Sequence, residues 1–230
     1  MHPLPVLLTR PRADSERLAA RLRAGGAGWV EIAPLMEIVP LALPDVPDGE
    51  GVLLTSANAV AALLAGGGAG GGRRAWVVGP RTAARAREAG FDVQATAPDA
   101  ATLARVVPSD APPLVHLRGA EARGDLAGAL RLRGLGARDQ VIYRQDPRPL
   151  LAEALRLVGA GPVLAPLYSP RAAALLMAAV PASHRANLRP VCLSRAVASA
   201  CEMPPLAVAA RPDGEAMIAA ILGNLVPLAG

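Results

Sequence analysis

The sequence predicts an α/β protein of two similar domains, each with a parallel sheet. Three observations carry this. Short apolar runs alternate with segments of helical periodicity through the whole chain. No Asn-Gly-type hairpin joins one strand to the next, which leaves helices as the crossovers of parallel sheets. The plan of the first half also recurs in the second.

Taken in order, Val6-Leu7-Leu8 reads as a strand buried on both faces. Thr9 to Arg12 is a turn, Asp14 or Ser15 is expected to cap the next helix, and Leu18, Ala19 and Leu22 form its apolar face until Gly25-Gly26. Trp29 to Val39 is expected to be extended, with Pro34 and Pro40 confining it to an edge. Gly51 to Leu54 is a strand, Thr55 to Asn58 a turn and Ala59 to Leu64 a helix. Gly66 to Gly72 is expected to be a flexible connector, since it follows a helix and so sits at the wrong end of the motif to cradle phosphate. Ala75 to Val78, Gly79-Pro80-Arg81-Thr82 and Ala83 to Ala89 repeat strand, turn and helix.

The internal repeat aligns Val6 to Pro11 with Leu114 to Gly119. At one constant offset Arg10 falls on Arg118, Leu18 on Leu126, Leu22 on Leu130 and Gly26 on Gly134. Thr55-Ser56 then corresponds to Tyr168-Ser169, and Gly79 to Thr82 corresponds to Ser194 to Val197. Two such domains are expected to enclose a cleft, with the turns after the strands facing it, because open parallel sheets bind ligands beyond their carboxyl ends.

Composition excludes several chemistries. The chain has 230 residues, 52% hydrophobic and 19% charged, enough for two cores and too apolar for disorder. Every one of the 24 basic residues is Arg, so Schiff-base catalysis, pyridoxal phosphate attachment and a Walker A lysine are impossible. Two Cys (Cys192, Cys201) and three His (His2, His116, His184) cannot build a closed zinc site at a usual spacing, and no metal is expected. The longest uncharged stretch, Gly51 to Gly72, is broken by polar residues and glycines, which argues against a membrane span. The first ten residues do not read as a signal peptide, so a cytoplasmic location is expected. A net charge of +5 favours an anionic ligand, while dispersed Arg and few aromatics disfavour nucleic acid. No heptad or apolar stripe suggests an oligomer, and a monomer is expected.

Five motifs occur in order along the chain: Leu8 to Pro11, Leu54 to Val60, Val78 to Ala83, Val141 to Arg144 and Tyr168 to Ala172. Together they resemble the uroporphyrinogen-III synthase family. That resemblance implies two flavodoxin-like domains joined by a two-stranded linker, the chain crossing to the second domain and returning. The boundaries it implies are 1–36 plus 146–230 for the first domain and 40–138 for the second, with 29–39 and 139–146 as interdomain strands. It also implies a cofactor-free cyclisation of hydroxymethylbilane, a linear tetrapyrrole with eight carboxylates. Loss of the terminal hydroxyl gives a cationic azafulvene, which attacks the last ring to form a spiro intermediate. Fragmentation and reclosure then invert that ring and give uroporphyrinogen III. A transient contact with hydroxymethylbilane synthase, the source of the substrate, is expected with it.

On this resemblance Tyr143 is the candidate catalytic residue, donating a hydrogen bond to the leaving hydroxyl; an ordinary phenol stays protonated at neutral pH. The candidate substrate-binding residues are Thr9, Arg10, Thr55, Ser56, Asn58, Gly79, Arg81, Thr82, Arg118, Ser169, Arg171 and Ser194. The hydroxyls, the Asn side chain and the helix-start N–H groups suit carboxylates, and Arg binds them bidentately. Val197 stands where the family has a second threonine, which shifts the expected weight of binding to the Thr82 side. His116, within an apolar strand, reads by default as a satisfied core residue, and the two Cys as buried and inert. Two other readings are a non-catalytic sensor of an anionic ligand, which would use the same turns and Arg residues, and a flavin- or nucleotide-dependent enzyme, for which no Gly-x-Gly-x-x-Gly stands between a strand and a helix; the one such spacing, Gly66 to Gly71, follows a helix.

Overall fold

A computed structural model describes residues 3–43, 45–122 and 124–226, so His2 lies outside the described residues. In chain order the elements are β1 (Val6–Leu8), α1 (Arg12–Ala24), β2 (Val30–Ile32), β3 (Met36–Pro40), β4 (Gly51–Leu54), α2 (Ala57–Ala65), β5 (Arg74–Val78), α3 (Pro80–Glu88), β6 (Asp92–Ala97) and α4 (Ala100–Val106). They continue with β7 (Leu114–Gly119), α5 (Leu126–Leu132), β8 (Ala137–Pro147), α6 (Ala152–Ala160), β9 (Val163–Leu167), α7 (Pro170–Ala179), α8 (Ala182–Arg185), β10 (Leu188–Cys192), α9 (Arg195–Ser199), β11 (Ala207–Val208) and α10 (Gly214–Leu222). Two compact units result, Met1–Glu37 with Pro147–Gly230, and Ile38–Asp146.

The sheet of the first unit runs β11-β10-β9-β1-β2, and its paired strands are parallel. The sheet of the second runs β3-β8-β7-β4-β5-β6. From β8 to β6 it too is parallel. Under the sequence repeat, β1 corresponds to β7, β2 to β8, β9 to β4, β10 to β5 and β11 to β6. Both sheets then have the same spatial order, the doubly wound order of flavodoxin-like folds, entered at a different strand in each unit. β3 is the addition, an edge strand beside β8. The Leu41 N–H donates to the Ile142 carbonyl and the Arg148 N–H to the Leu35 carbonyl, so β3 and β8 run antiparallel. The chain passes between the units through this pair.

Strand residues alternate between two apolar layers in each unit, which is why these strands read as continuous hydrophobic runs. In the first, Leu7, Ala165 and Leu167 pack with residues of α6 and α7 on one face, and Val6, Leu8, Leu164 and Val191 with residues of α1 and α10 on the other. In the second, Val52, Leu54, Val115 and Leu117 meet α2 and α3, while Leu53, Trp76 and Leu114 meet α4 and α5.

Three local expectations are corrected. Trp29 to Val39 is two edge strands, β2 in one sheet and β3 in the other, parted by Ala33-Pro34-Leu35. Neither Asp14 nor Ser15 caps α1, which begins one residue after Pro11. Asp14 pairs instead with Arg10 and Arg17, and the Ser15 hydroxyl donates to the Arg10 carbonyl. The glycine tract is a hydrogen-bonded turn packed on the end of α3. Gly70 N–H donates to Ala89 O and Gly72 N–H to Gly90 O, and a Cβ at Gly70 would lie 2.3 Å from the Phe91 nitrogen. Glycine is required there by backbone-to-backbone contact.

Candidate active site

Both sheets change direction of winding at one place, between β1 and β9 in the first unit and between β7 and β4 in the second. Chain connections leave in opposite directions there, which opens a crevice at the carboxyl ends of the strands. Most of the sequence-predicted residues lie in or beside the turns at these carboxyl ends.

In the first unit, Thr9 and Arg10 follow β1, Ser169 and Arg171 follow β9, and Ser194 follows β10. Arg10 is held between two groups: its guanidinium lies 4.1 Å from the Tyr168 ring centroid and donates to Asp14 Oδ2 at 2.7 Å. Burial pushes the Tyr168 phenol above its ordinary value, and Arg10 opposes that shift. Ser169 and Ser194 each cap a helix, accepting from the N–H of Ala172 at 3.1 Å and Val197 at 3.4 Å. An accepting serine keeps its own O–H to donate, so both remain donors toward a ligand. Arg171 begins α7 and is half-buried.

In the second unit, Thr55, Ser56 and Asn58 follow β4, Gly79, Arg81 and Thr82 follow β5, and Arg118 lies near the end of β7. Ser56 caps α2 by accepting from Asn58 N–H at 3.1 Å. Gly79 starts α3 with φ +81, a conformation glycine adopts without strain, and Pro80 takes the first helical position. Arg81 is exposed. Tyr143, on β8, is only 4% exposed and sits in register with Gly119 of β7. Burial raises its phenol above the usual range, a hydrogen bond with Ser56 lowers it, the Glu121 charge raises it, and Gln145 lowers it. The net direction keeps the phenol protonated.

Two expected donors are not presented at the rim. Thr9 is 1% exposed and its hydroxyl has no partner among the described residues. Thr82 is 5% exposed, because the third position of α3 faces the sheet beside Ala83 and Ala86. Val197 occupies the same position in α9 and is equally buried. The exchange of threonine for valine between repeats therefore falls at a position that packs inward in both helices.

His116 is a satisfied core residue, with a partner at each ring nitrogen. It is the neighbour of Leu53 on β4 and of Asp139 on β8. Nε2 lies 3.0 Å from Thr55 Oγ1 and Nδ1 lies 2.9 Å from Asp139 Oδ1. Arg118 Nε reaches the same carboxylate oxygen at 3.2 Å. Burial lowers the imidazole pKa below 6.5, Asp139 opposes this, and Arg118 adds to it. Asp139 was missed by the sequence reading, as was Glu121, whose carboxylate accepts from Gln145 N–H at 3.1 Å. Neither belongs to the turn motifs: strand pairing sets Asp139 beside His116, below the rim, and Glu121 lies in the turn that follows β7. Among the described residues no three of His, Cys, Asp and Glu converge as a metal site.

The model of the family described as uroporphyrinogen-III synthase HemD matches residues 16–219. The chain belongs to the uroporphyrinogen-III synthase family. Solved structures with a similar fold include uroporphyrinogen-III synthetase from Helicobacter pylori, at 17% identity and TM-score 0.65, covering 84% of this chain and 92% of that one. A mutant uroporphyrinogen III synthase from the extremely thermophilic bacterium Thermus thermophilus matches at 18% identity and TM-score 0.55, with 96% of each chain covered. No curated protein matched by sequence. The family membership makes the chain an enzyme of tetrapyrrole biosynthesis, a uroporphyrinogen-III synthase acting on a small molecule. No helix among the described residues is long and apolar enough to cross a membrane.

Proposed function

We propose that the rims of the two sheets bind hydroxymethylbilane and steer its closure with ring inversion, and that Tyr143 assists departure of the hydroxyl. The observation that carries this reading is the Tyr143 phenol, buried in β8 opposite Gly119 at the carboxyl end of β7, hydrogen-bonded to Ser56 and kept neutral by its burial. As the carbon–oxygen bond of the substrate breaks, the pyrrole nitrogen supplies the electron pair and becomes cationic. The phenol donates to the departing oxygen, which leaves as water. The α-carbon of the last ring then attacks the cation. After fragmentation and reclosure, the proton released on rearomatisation restores the donor. A neutral donor aimed at developing oxyanion charge is worth most where water is excluded.

The substrate's carboxylates fit the rest. Ser169 and Ser194 offer O–H donors at helix starts, and Arg10, Arg81, Arg118 and Arg171 supply positive charge, Arg10 and Arg118 from ion pairs that a substrate carboxylate would share. Holding a flexible chain in one folded geometry is the larger part of the task, since the bilane closes unaided to the uninverted isomer. We further propose a cytoplasmic monomer that receives its unstable substrate through transient contact with hydroxymethylbilane synthase. Anaerobic titration calorimetry with uroporphyrinogen III tests the binding surface. Binding weakened about tenfold in each of Arg118→Ala and Ser169→Ala is expected, and unchanged binding in both would remove the rims from the reading.

A further inference from the structure

The turn that carries Thr55 is backed by a relay that the reaction as described leaves unused. Thr55 is at the rim, two residues past Leu53 on the same side of β4, and His116 lies one layer below it, 5% exposed. Asp139 is the in-register neighbour of His116 on the next strand, so the three side chains follow one line across β4, β7 and β8. Their order has a chemical consequence. An ionised carboxylate only accepts, so the Nδ1 facing Asp139 at 2.9 Å must carry the proton. In a neutral ring Nε2 is then bare, and the Thr55 hydroxyl, 3.0 Å away, must donate to it. With its one proton turned inward, Thr55 shows only lone pairs to the rim.

We propose that His116, held by Asp139, is a positioning residue that fixes the Thr55 hydroxyl as a hydrogen-bond acceptor for a pyrrole N–H of the tetrapyrrole. The inference rests on the reading of the rim as the bilane site. The sequence reading, and the carboxylates of the substrate, would make Thr55 a donor; the relay makes it the opposite. Such an acceptor is selective for the reacting state. When the hydroxyl leaves, the ring that becomes an azafulvene carries positive charge and its N–H becomes a stronger donor, so the bond to Thr55 tightens as charge develops.

The relay is also reversible by one proton. Protonating His116 puts a hydrogen on Nε2, which then donates to Thr55 and turns the threonine proton outward. The charged groups acting on the ring are Asp139 from β8 and Arg118 from β7 itself. β4 faces it with Leu53 and Thr55, and α4 and α5 turn Leu103, Leu126 and Leu130 to this side of the sheet. Burial sets the protonation below the ordinary imidazole value, so the acceptor form prevails at neutral pH and is lost on the acid side.

The test is kcat for formation of isomer III against pH, with hydroxymethylbilane generated in situ and the spontaneous rate subtracted. Wild type is expected to lose activity below about pH 6.5, the ordinary imidazole value. D139N removes the charge that favours the imidazolium, so its acid limb moves to lower pH. H116L and T55V each lower kcat about tenfold, the worth of one hydrogen bond, with no further loss in the double variant. H116Q keeps a donor for Asp139 and an acceptor for Thr55, so it returns kcat to within about threefold of wild type and shows no such limb. If H116L does not fold, T55V and H116Q, checked by circular dichroism, still decide. Wild-type pH profiles in T55V and H116Q, or H116L with undiminished kcat, overturn the relay alone. Wild type that forms no isomer III overturns the bilane reading and the relay with it.

Discussion

Gly119 and Tyr143 oppose each other across β7 and β8, and the phenol ring fills the space a side chain at 119 would need: a Cβ there would lie 2.6 Å from two ring carbons and 2.9 Å from the hydroxyl. The register shifts at this point in the ladder, between Arg118 and Gly119, and a bulge is a common device for re-aiming a side chain. The glycine is thus explained by the tyrosine. Gly119→Ala is expected to displace the ring, lowering kcat for isomer III at least tenfold while costing only about 1–3 kcal/mol of stability. Denaturant unfolding measured beside the kinetics checks both halves.

Tyr143→Phe removes only the hydroxyl from a ring that shares an apolar layer with Ile142, Val115 and Leu117, against α2 and α3. The fold is expected to survive, and kcat to fall roughly 10²-fold, the scale of one lost donor to developing charge. KM is expected to stay within about threefold, since the bond strengthens in the transition state. A rise in KM with kcat unchanged would place Tyr143 in binding instead.

The burial of His116 sets the sign of a pH dependence in stability. Its folded pKa lies below the unfolded value of about 6.5, so the unfolded chain binds the extra proton as pH falls. Stability from this group is full above 6.5 and is lost as pH drops toward the folded pKa, by at most about 1.4 kcal/mol per pH unit. The difference in unfolding free energy between wild type and His116→Gln, followed from about pH 7.5 to about 5, is expected to move against wild type.

Cys192 and Cys201 are fully buried, their Sγ atoms 3.5 Å apart, and burial pushes the Cys192 thiol up to about 12. Thiolate is the reactive form, so neither cysteine is expected to be alkylated by iodoacetamide in the native protein at about pH 8. Both should react once the protein is unfolded, as mass spectrometry would show.

The turns and the repeat were legible because they are local: a strand end, a capping serine and a helix start lie within six residues, and the correspondence of Arg10 with Arg118 needs only spacing. The correspondence extends to the sheets, whose strand orders match under it. The parts that were not legible depend on pairing. Asp139 lies 23 residues from His116, and nothing in that separation shows that β7 and β8 set them side by side. Thr82 and Val197 differ by a hydroxyl in the sequence, and only the helices place both positions inward. The glycine run around Gly70 is compatible with flexibility and with close backbone contact alike, and only the Phe91 backbone distinguishes them.

The central claim is that this chain closes a linear tetrapyrrole with inversion of its last ring. The measurement that tests it most directly is the isomer composition of porphyrin formed when hydroxymethylbilane, generated in situ, meets the purified protein. The account predicts predominantly isomer III, formed faster than the spontaneous reaction. Isomer I alone, at the spontaneous rate and from demonstrably folded protein, would contradict it.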